Sequence, residues 1–372
     1  MPTINEDLGA YSDLFMLLAA LAYAVAFIAF AWDLAKSSRT IRELESRSLA
    51  EEARQLAHAG HVQAAGAGAA GSGTVGASPE TTPDGPPSGA ASAGEGTEDG
   101  LIGADGALVH ESMDYTDGAA RRLAAKVAVS LTWIAAVVHL AAVVSRGIAA
   151  ARMPWGNMYE FLSTGALVVA LVFLGVLLRK DLRFMGTFVI GLVTLMLCGA
   201  TMGFPTPVAH LVPALQSPWL IIHVSIAVLA SALFTITFAM AVLQLIQHRR
   251  QDALAAGKPD KLPFLRLVPS AASLENFAYR VNAISFVMWT FTVMAGAIWA
   301  EAAWGRYWGW DTKEVWSFVI WVVYAGYLHA RATRGWTGAR SAWLSIIGYL
   351  CIIFNFTVVN LYFNGLHSYA GV

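Results

Sequence analysis

The sequence predicts an all-α, polytopic integral membrane protein with about eight transmembrane helices. Two observations predict this fold class. Of the 372 residues, 57% are hydrophobic and only 13% are charged, and the mean hydropathy is +0.56. Apolar stretches of about 20 residues recur along the chain, and a helix of that length crosses a hydrocarbon core ~30 Å thick. Helices are expected because a spanning segment must satisfy its own backbone hydrogen bonds in lipid.

Eight apolar runs give the predicted helices in chain order. They are residues 12–32, 122–145, 158–178, 185–202, 218–246, 281–300, 315–333 and 342–363. The acidic residues Glu6, Asp7 and Asp13 adjoin the first run, where a signal peptide would have a basic segment, so we expect no cleavable signal peptide. Cys198 and Cys351 lie inside apolar runs without a C-x-x-C partner, so we expect packing roles for both.

The distribution of basic residues predicts the orientation. Of the 24 lysines and arginines, all except Arg146, Arg152, Arg306 and Lys313 fall in segments that are cytoplasmic when the N-terminus is outside. Cytoplasmic loops carry an excess of positive charge, so both termini are predicted to be extracytoplasmic, in a multi-pass protein of the plasma membrane. The net charge of −1 gives no indication of a nucleic-acid partner.

Composition divides the chain into three regions. Residues 1–34 hold the first transmembrane helix. Residues 35–118 begin with charged residues and continue as an Ala/Gly/Ser/Pro/Thr/Glu-rich tract. Such a tract cannot bury enough apolar surface to fold, so we predict a disordered cytoplasmic linker. Residues 119–372 form the main transmembrane domain, which includes a tryptophan-rich outer loop at 301–316.

The outer loop contains a dense cluster of aromatic residues. Its tryptophans are Trp304, Trp308, Trp310 and Trp316. Tryptophan is common at membrane–water boundaries, but such a belt needs only one or two rings at a helix end, without the glycines and charged residues found here. We therefore interpret Trp304, Trp308 and Trp310 as a flat aromatic platform for a large planar ligand.

Two histidines are predicted to share the membrane face of this loop. His223 lies near the outer end of the fifth predicted span, and His367 lies in the outer C-terminal tail. Neutral imidazole binds iron through one ring nitrogen while the other is oriented by a second group. Two histidines beside an aromatic platform are what bis-histidine ligation of a haem requires. A structural role for either histidine is the alternative.

The other histidines have weaker signals. His329 lies toward the cytoplasmic end of the seventh predicted span, where an ionisable residue indicates function; an interfacial role beside Arg331 is the alternative. His139 is either a core histidine or a ligand. His210, in a Pro-rich loop, and His248, in a basic loop, are not predicted to form a site.

Several separated motifs resemble the CcsA/ResC family of the haem-handling WWD superfamily. They are Trp304-Gly-x-x-Trp308-x-Trp310-Asp311 with Glu314, Trp219-Leu-x-x-His223-Val, Tyr327-Leu-His329-Ala-Arg331, Gly365-Leu-His367-Ser-Tyr, and Pro154-x-x-Asn157-x-Tyr159-Glu160. The resemblance covers about residues 120–372. The long linker makes the chain similar to the actinobacterial-type members called CcsB.

The resemblance implies cytochrome c biogenesis by the type of pathway called System II. Such proteins carry haem b to the outer membrane face for thioether attachment to the Cys-x-x-Cys-His motif of apocytochrome c, as part of a haem lyase complex. By residue match, His223 and His367 correspond to the outer axial histidines and His329 to the transmembrane histidine. The implied partners are a ResB/Ccs1-like membrane subunit, apocytochrome c and a thiol-reducing thioredoxin-like protein.

Charged residues of the outer loop have two interpretations each. Arg306 and Lys313 either pair with the anionic haem propionates, which need partners when partly desolvated, or are ordinary interfacial cations. Asp311 either orients the loop through hydrogen bonds to the backbone or touches the ligand itself.

Two other function classes stay open at this point. One is haem transport or chaperoning without ligation. The other is a b-haem electron-transfer subunit, which would stack histidine pairs within the bundle, whereas His223 and His329 are predicted near opposite faces. Thioether formation adds a thiol across a vinyl group and needs no protein nucleophile, so the lack of a Ser/His/Asp motif does not argue against ligation.

Overall fold

The computed structural model describes residues 3–69, 123–211 and 215–367. Within these ranges the regular structure is entirely helical, as predicted. The helices are α1 (Glu6–Ala69), α2 (Leu123–Ala149), α3 (Met158–Leu177), α4 (Gly186–Cys198), α5 (Pro218–Ala255), α6 (Ala271–Trp304), α7 (Thr312–Arg334), α8 (Ala339–Phe356) and α9 (Val358–Tyr362). Short 3-10 turns precede α4 and α6, at Arg183–Met185 and Pro263–Leu267, and a π-helical turn at Gly199–Gly203 extends α4.

Seven segments of the described chain are long and apolar enough to cross a membrane. They are the first 31 residues of α1, the helices α2 to α6, and α8 together with α9. The remaining long helix, α7, coincides with the predicted seventh span and has 23 residues. It is less apolar because charged residues occupy both of its ends, among them Lys313, Glu314 and Arg331. With α7 included, the bundle agrees with the prediction of about eight spans.

Helix α1 is longer than the sequence predicts. Its backbone stays helical to Ala69, so residues 35–69 differ from the predicted disorder; the rest of the predicted linker lies outside the described residues. The reason is local: residues 40–58 are rich in Leu, Glu, Arg and Ala, which have high helix propensity. The composition of residues 35–118 as a whole is dominated by the Gly- and Pro-rich tract that follows this stretch, so the helix is not evident from composition.

Two packed cores share the central helix α5. The first core joins α1 to α4 with one face of α5 and the first turns of α6. Fully buried small residues, including Ala19, Ala26, Ala128 and Ala135, line the contact of α1 with α2. Small side chains let helix backbones approach closely, which is the usual basis of helix association in membranes.

The second core joins α5 to α8 and is rich in aromatic side chains. At its centre the rings of Phe234 and Tyr324 stack with centroids 3.9 Å apart. Trp289 packs edge-on against Phe234, and its indole N–H donates to the Ser317 carbonyl at 3.1 Å. Aromatic pairs in such geometries contribute beyond simple burial, so the second core holds α6 and α7 firmly against α5.

Helix ends bring the candidate residues to one end of the bundle. Helix α5 begins at Pro218, whose preceding Ser217 caps it by accepting from Trp219 N. Helix α6 ends at Gly305, whose φ of +71° reverses the chain into the tryptophan-rich loop. The chain after α9 returns to this loop. We call this the tryptophan-loop end; it contains both His223 and His367, which the sequence predicts on one face.

Candidate functional site

A cavity opens at the tryptophan-loop end between the two cores. Its volume is about 120 Å³. Its apolar lining includes Trp155, Met158, Phe161, Leu220, Trp289, Trp299 and Phe356. Its polar lining includes Asn157, His223, Thr292, Lys313, Ser317, Asn355, Asn360 and His367. An apolar body with a few polar groups at defined points is therefore the kind of ligand that the cavity fits.

His223 lines the cavity from the second turn of α5. Its Nδ1 atom lies 2.9 Å from the carbonyl oxygen of Thr292 on α6. A carbonyl only accepts, so in the neutral ring Nδ1 carries the hydrogen and Nε2 keeps the lone pair that can bind a metal. Gly296, one turn further along α6, leaves the space for the imidazole.

His367 lines the same cavity from the chain after α9. Its Nδ1 atom lies 2.7 Å from Oδ2 of Asp311. The other carboxylate oxygen of Asp311 accepts from Leu366 N at 3.0 Å. The hydrogen bond from His367 holds the pKa of the Asp311 carboxyl below its usual value. Asp311 therefore both fixes the C-terminal chain and orients the His367 ring.

The indole of Trp299 packs against both histidines. Its ring lies 6.0 Å from that of His223, nearly parallel at 14°, and 5.4 Å from that of His367 at 67°. Trp304 packs edge-on against His367 at 4.9 Å. Trp299 was not predicted from the sequence as a site residue, although it lies five residues before Trp304. These two indoles fix the histidine rings from the side.

The other loop tryptophans do not share a plane with Trp304. The rings of Trp308 and Trp310 are perpendicular, at 88°, and Trp310 is 76% exposed. Trp310 has φ of +59°, a left-handed conformation that costs a non-glycine residue about 1–2 kcal/mol. Glu314 holds this turn by accepting from Gly309 N at 2.8 Å and Asp311 N at 3.0 Å. The single flat platform of the prediction is thus not formed, because this turn directs Trp310 away from the cavity.

The two loop cations occupy different environments. Lys313, in the first turn of α7, lines the cavity; its Nζ donates to Oδ1 of Asn360 and lies 5.2 Å from the centre of the Phe356 ring. Among the described residues no carboxylate forms an ion pair with it. Arg306 is exposed, does not line the cavity, and folds over Gly309. Only Lys313 is placed to meet an anionic group inside the cavity.

His329 lies far from this cavity. It is 17 residues beyond Thr312 along α7, which at ~1.5 Å per residue is about 25 Å, and its side chain is exposed on the outer surface of the bundle. His139 is fully buried, edge-on to Tyr23 at 5.8 Å, while His210 is exposed. The cavity therefore receives two histidines, His223 and His367, from the described chain.

A buried ion cluster supports the turn that carries Trp155. Glu160 is fully buried and accepts from Arg146 Nε at 3.0 Å, from Arg152 Nη1 at 2.6 Å and from Gly156 N at 2.8 Å. These contacts fix the turn that carries Trp155 into the cavity. They also explain the Pro154–Glu160 motif, because the Glu160 carboxylate at the end of the motif accepts a hydrogen bond from the turn at the start of the motif.

The chain matches the family described as Cytochrome C assembly protein over residues 155–367. It is 33% identical over 240 residues to the cytochrome c biogenesis protein CcsA of Guillardia theta, covering 60% of this chain and 79% of that protein. Identity to the CcsA of Porphyra purpurea is 31% over 277 residues, covering 66% and 87%. Identity to the CcsA of Synechococcus sp. (strain CC9902) is 37% over 178 residues, covering 43% and 58%. The family match begins at Trp155 and ends at His367, so it contains every cavity-lining residue named above.

Proposed function

This chain belongs to the cytochrome c assembly protein family, and we propose that it is the haem-handling subunit of a membrane cytochrome c synthase. In this proposal it holds haem b in the cavity at the tryptophan-loop end. It presents the haem for thioether attachment to the Cys-x-x-Cys-His motif of apocytochrome c. The observation that carries the proposal is that His223 and His367 line one cavity, each with Nδ1 anchored and Nε2 left as the metal-binding nitrogen.

The donor set supports a haem in preference to a bare metal ion. No group of three or more His, Cys, Asp or Glu side chains that could hold a metal occurs among the described residues. Two imidazoles alone make an incomplete site for a metal ion, which takes four or more ligands. A haem supplies four equatorial nitrogens itself, so His223 and His367 would complete its coordination as the two axial ligands.

The position of Lys313 in the cavity also favours a haem as the ligand. A cation that lines a largely apolar cavity without a carboxylate partner is costly unless a ligand neutralises it. A haem propionate would do so, with Asn360 beside it as a hydrogen-bond partner. Of the two cations considered from sequence, we assign this role to Lys313 and not to the exposed Arg306.

Thioether attachment depends on the orientation of the haem and the thiol, more than on a catalytic side chain. The thiol of the apocytochrome adds across a vinyl group: sulfur bonds to one vinyl carbon and the hydrogen ends on the other, so no oxidant and no protein nucleophile are consumed. Holding the haem by two imidazoles and one propionate fixes where the vinyl groups lie. Fixing both reactants in this way makes a bimolecular step effectively unimolecular.

His329 and the membrane orientation complete the proposal. We assign the tryptophan-loop end to the extracytoplasmic face of the plasma membrane on the distribution of basic residues. His329 is exposed near the opposite end of α7, where a ResB/Ccs1-like subunit can contribute a second imidazole for incoming haem. A thiol-reducing thioredoxin-like protein would keep the apocytochrome cysteines reduced.

The test is reconstitution in cells that lack their own pathway. This chain is co-expressed with a ResB-like partner and a reporter apocytochrome, and covalent haem on the reporter is measured. We expect His223→Gly and His367→Gly each to lower both haem retention and reporter haem, and added imidazole to restore part of both. Haem bound to the complex without any covalent product would instead indicate transport without ligation. A low-spin spectrum unchanged in the double substitution would exclude the axial assignment.

A further inference from the structure

The two cavity histidines have hydrogen-bond partners of different kinds. His367 Nδ1 contacts a carboxylate, Asp311, whereas His223 Nδ1 contacts a backbone carbonyl, that of Thr292. We propose that the two ligands are inequivalent: His367 is the retained ligand of the bound haem, and His223 is the ligand displaced by the histidine of the Cys-x-x-Cys-His motif. This inference rests on the proposed function and adds the order of ligand exchange.

The partner of Nδ1 determines how strongly Nε2 binds iron. A carboxylate is a stronger acceptor than a peptide carbonyl, and its hydrogen bond shifts electron density into the imidazole and raises its basicity as a ligand. Asp311 is itself fixed, because its second oxygen accepts from Leu366 N at 3.0 Å. His367 is therefore the stronger donor of the two rings.

The surroundings of His223 provide the side from which a peptide can arrive. A second cavity of about 410 Å³ lies beside the first turn of α5. Its lining includes Ile221, two residues before His223, and it shares Trp155, Leu215 and Leu220 with the first cavity. These three shared residues contact both cavities.

His367, the other proposed ligand, is enclosed by other parts of the protein. Trp299 packs against both histidine rings, and Trp304 packs against that of His367. Asp311 holds the Nδ1 atom of His367. A peptide in the second cavity would contact the first turn of α5, the helix that carries His223. The weaker ligand thus belongs to the helix whose first turn lines the second cavity.

The exchange step is balanced without a further reactant. The bond from iron to Nε2 of His223 breaks, and a bond from iron to the peptide imidazole forms in its place. The hydrogen on Nδ1 of His223 stays on the hydrogen bond to the Thr292 carbonyl, so no proton is transferred and the iron keeps its oxidation state.

Resonance Raman spectroscopy of the haem-loaded complex tests the inference. In the ferrous five-coordinate state, the iron–histidine stretching frequency rises when the ligand donates a hydrogen bond to a carboxylate. We expect a higher frequency in His223→Gly, where His367 is the remaining ligand, than in His367→Gly. Adding Asp311→Asn to His223→Gly should lower that frequency. Glu301→Gln, the same carboxylate-to-amide change at an exposed residue near the end of α6, should leave it unchanged.

A second measurement needs no substitution of Asp311. Carbon monoxide added to the ferrous unsubstituted complex displaces the weaker ligand, and its photolysis leaves the retained ligand on the iron. We expect the frequency seen directly after photolysis to match that of His223→Gly. A match to His367→Gly, or equal frequencies in the two variants, would overturn the inference while leaving the proposed function standing. Failure of the unsubstituted complex to bind haem would overturn the proposed function itself.

Discussion

Gly296 provides the space in which the His223 imidazole lies: a Cβ atom at Gly296 would be 2.7 Å from Cε1 and 2.9 Å from Nδ1 of His223. Real side chains do not pack that closely, so even a methyl group would displace the ring from the Thr292 carbonyl. A glycine in the middle of a helix, where it weakens the helix, is thereby explained by the site.

We expect Gly296→Ala to weaken haem binding, since overpacking typically costs ~1–3 kcal/mol. The measurement is the haem-to-protein ratio of the purified protein, with the circular dichroism spectrum as a check of folding. Gly326→Ala, at a helical glycine of α7 with no neighbouring atoms within 4 Å, is the matched control and should retain its haem. Normal haem binding by Gly296→Ala would show that His223 does not need its present position.

We expect Trp299→Leu to lower haem content more than Trp310→Leu. Trp299 packs against both histidines, whereas Trp310 is exposed and lies outside the cavity lining. Removing a large buried ring costs ~3–5 kcal/mol when truncated to alanine, and leucine keeps part of that contact. The haem-to-protein ratio and the low-spin absorption bands are measured for both. A larger loss in Trp310→Leu would restore the predicted platform and remove Trp299 from the site.

We expect Lys313→Gln to weaken haem binding about tenfold or more, because a hydrogen bond to a charged group contributes ~1.5–3 kcal/mol. Arg306→Gln should have little effect, as Arg306 is exposed and outside the cavity. The dissociation constant is measured for haem and for its dimethyl ester, which lacks propionate charge. If Lys313 binds a propionate, the ester should bind wild type and Lys313→Gln equally; a difference that persists with the ester would contradict the assignment.

We expect Glu160→Gln to lower the thermal unfolding temperature strongly. The substitution leaves Arg146 and Arg152 without the carboxylate that they share, and breaking a buried ion pair costs ~3–5 kcal/mol. Asp252→Asn is the control: it removes a pair with His248 whose side chains are 42% and 67% exposed, and such pairs contribute ~0–1 kcal/mol. Equal unfolding temperatures for the two variants would show that the cluster does not support the fold.

We expect His329→Ala to empty the cavity at the tryptophan-loop end although it touches no cavity residue. The expectation follows if haem binds at His329 before it reaches His223. Haem content is measured with and without imidazole, which should restore part of it. Thr333→Ala, one turn away on the same exposed surface, should have no effect. Full haem content in a well-folded His329→Ala protein would place the haem path elsewhere.

Much of the fold could be predicted from sequence because hydropathy and membrane thickness constrain it strongly. The fold class and the CcsA/ResC family resemblance are confirmed. The ends of the helices were less predictable: α6 begins at Ala271, ten residues before the predicted span. Hydropathy detects only the lipid-crossing part of a helix, whereas the first turns of α6 are capped by Ser270 and packed against protein.

The placement of His223 and His367 near each other was predictable from the sequence, whereas their hydrogen-bond partners were not. His223 and His367 were selected because they flank the tryptophan loop along the chain. Their partners depend on contacts distant in sequence: Asp311 is 56 residues from His367, and Thr292 is 69 residues from His223. The separation of Lys313 from Arg306 likewise follows from the direction of the loop backbone after Gly305, which residue type alone does not specify.

The division of the bundle into two cores has a mechanical consequence for the cavity. Trp155, Met158 and Phe161, which precede α5 in the chain, form one wall. Both histidines and the groups that hydrogen-bond to them lie on α5 or later in the chain. A shift of α1–α4 relative to the remaining helices would widen or narrow the cleft without stretching either histidine contact.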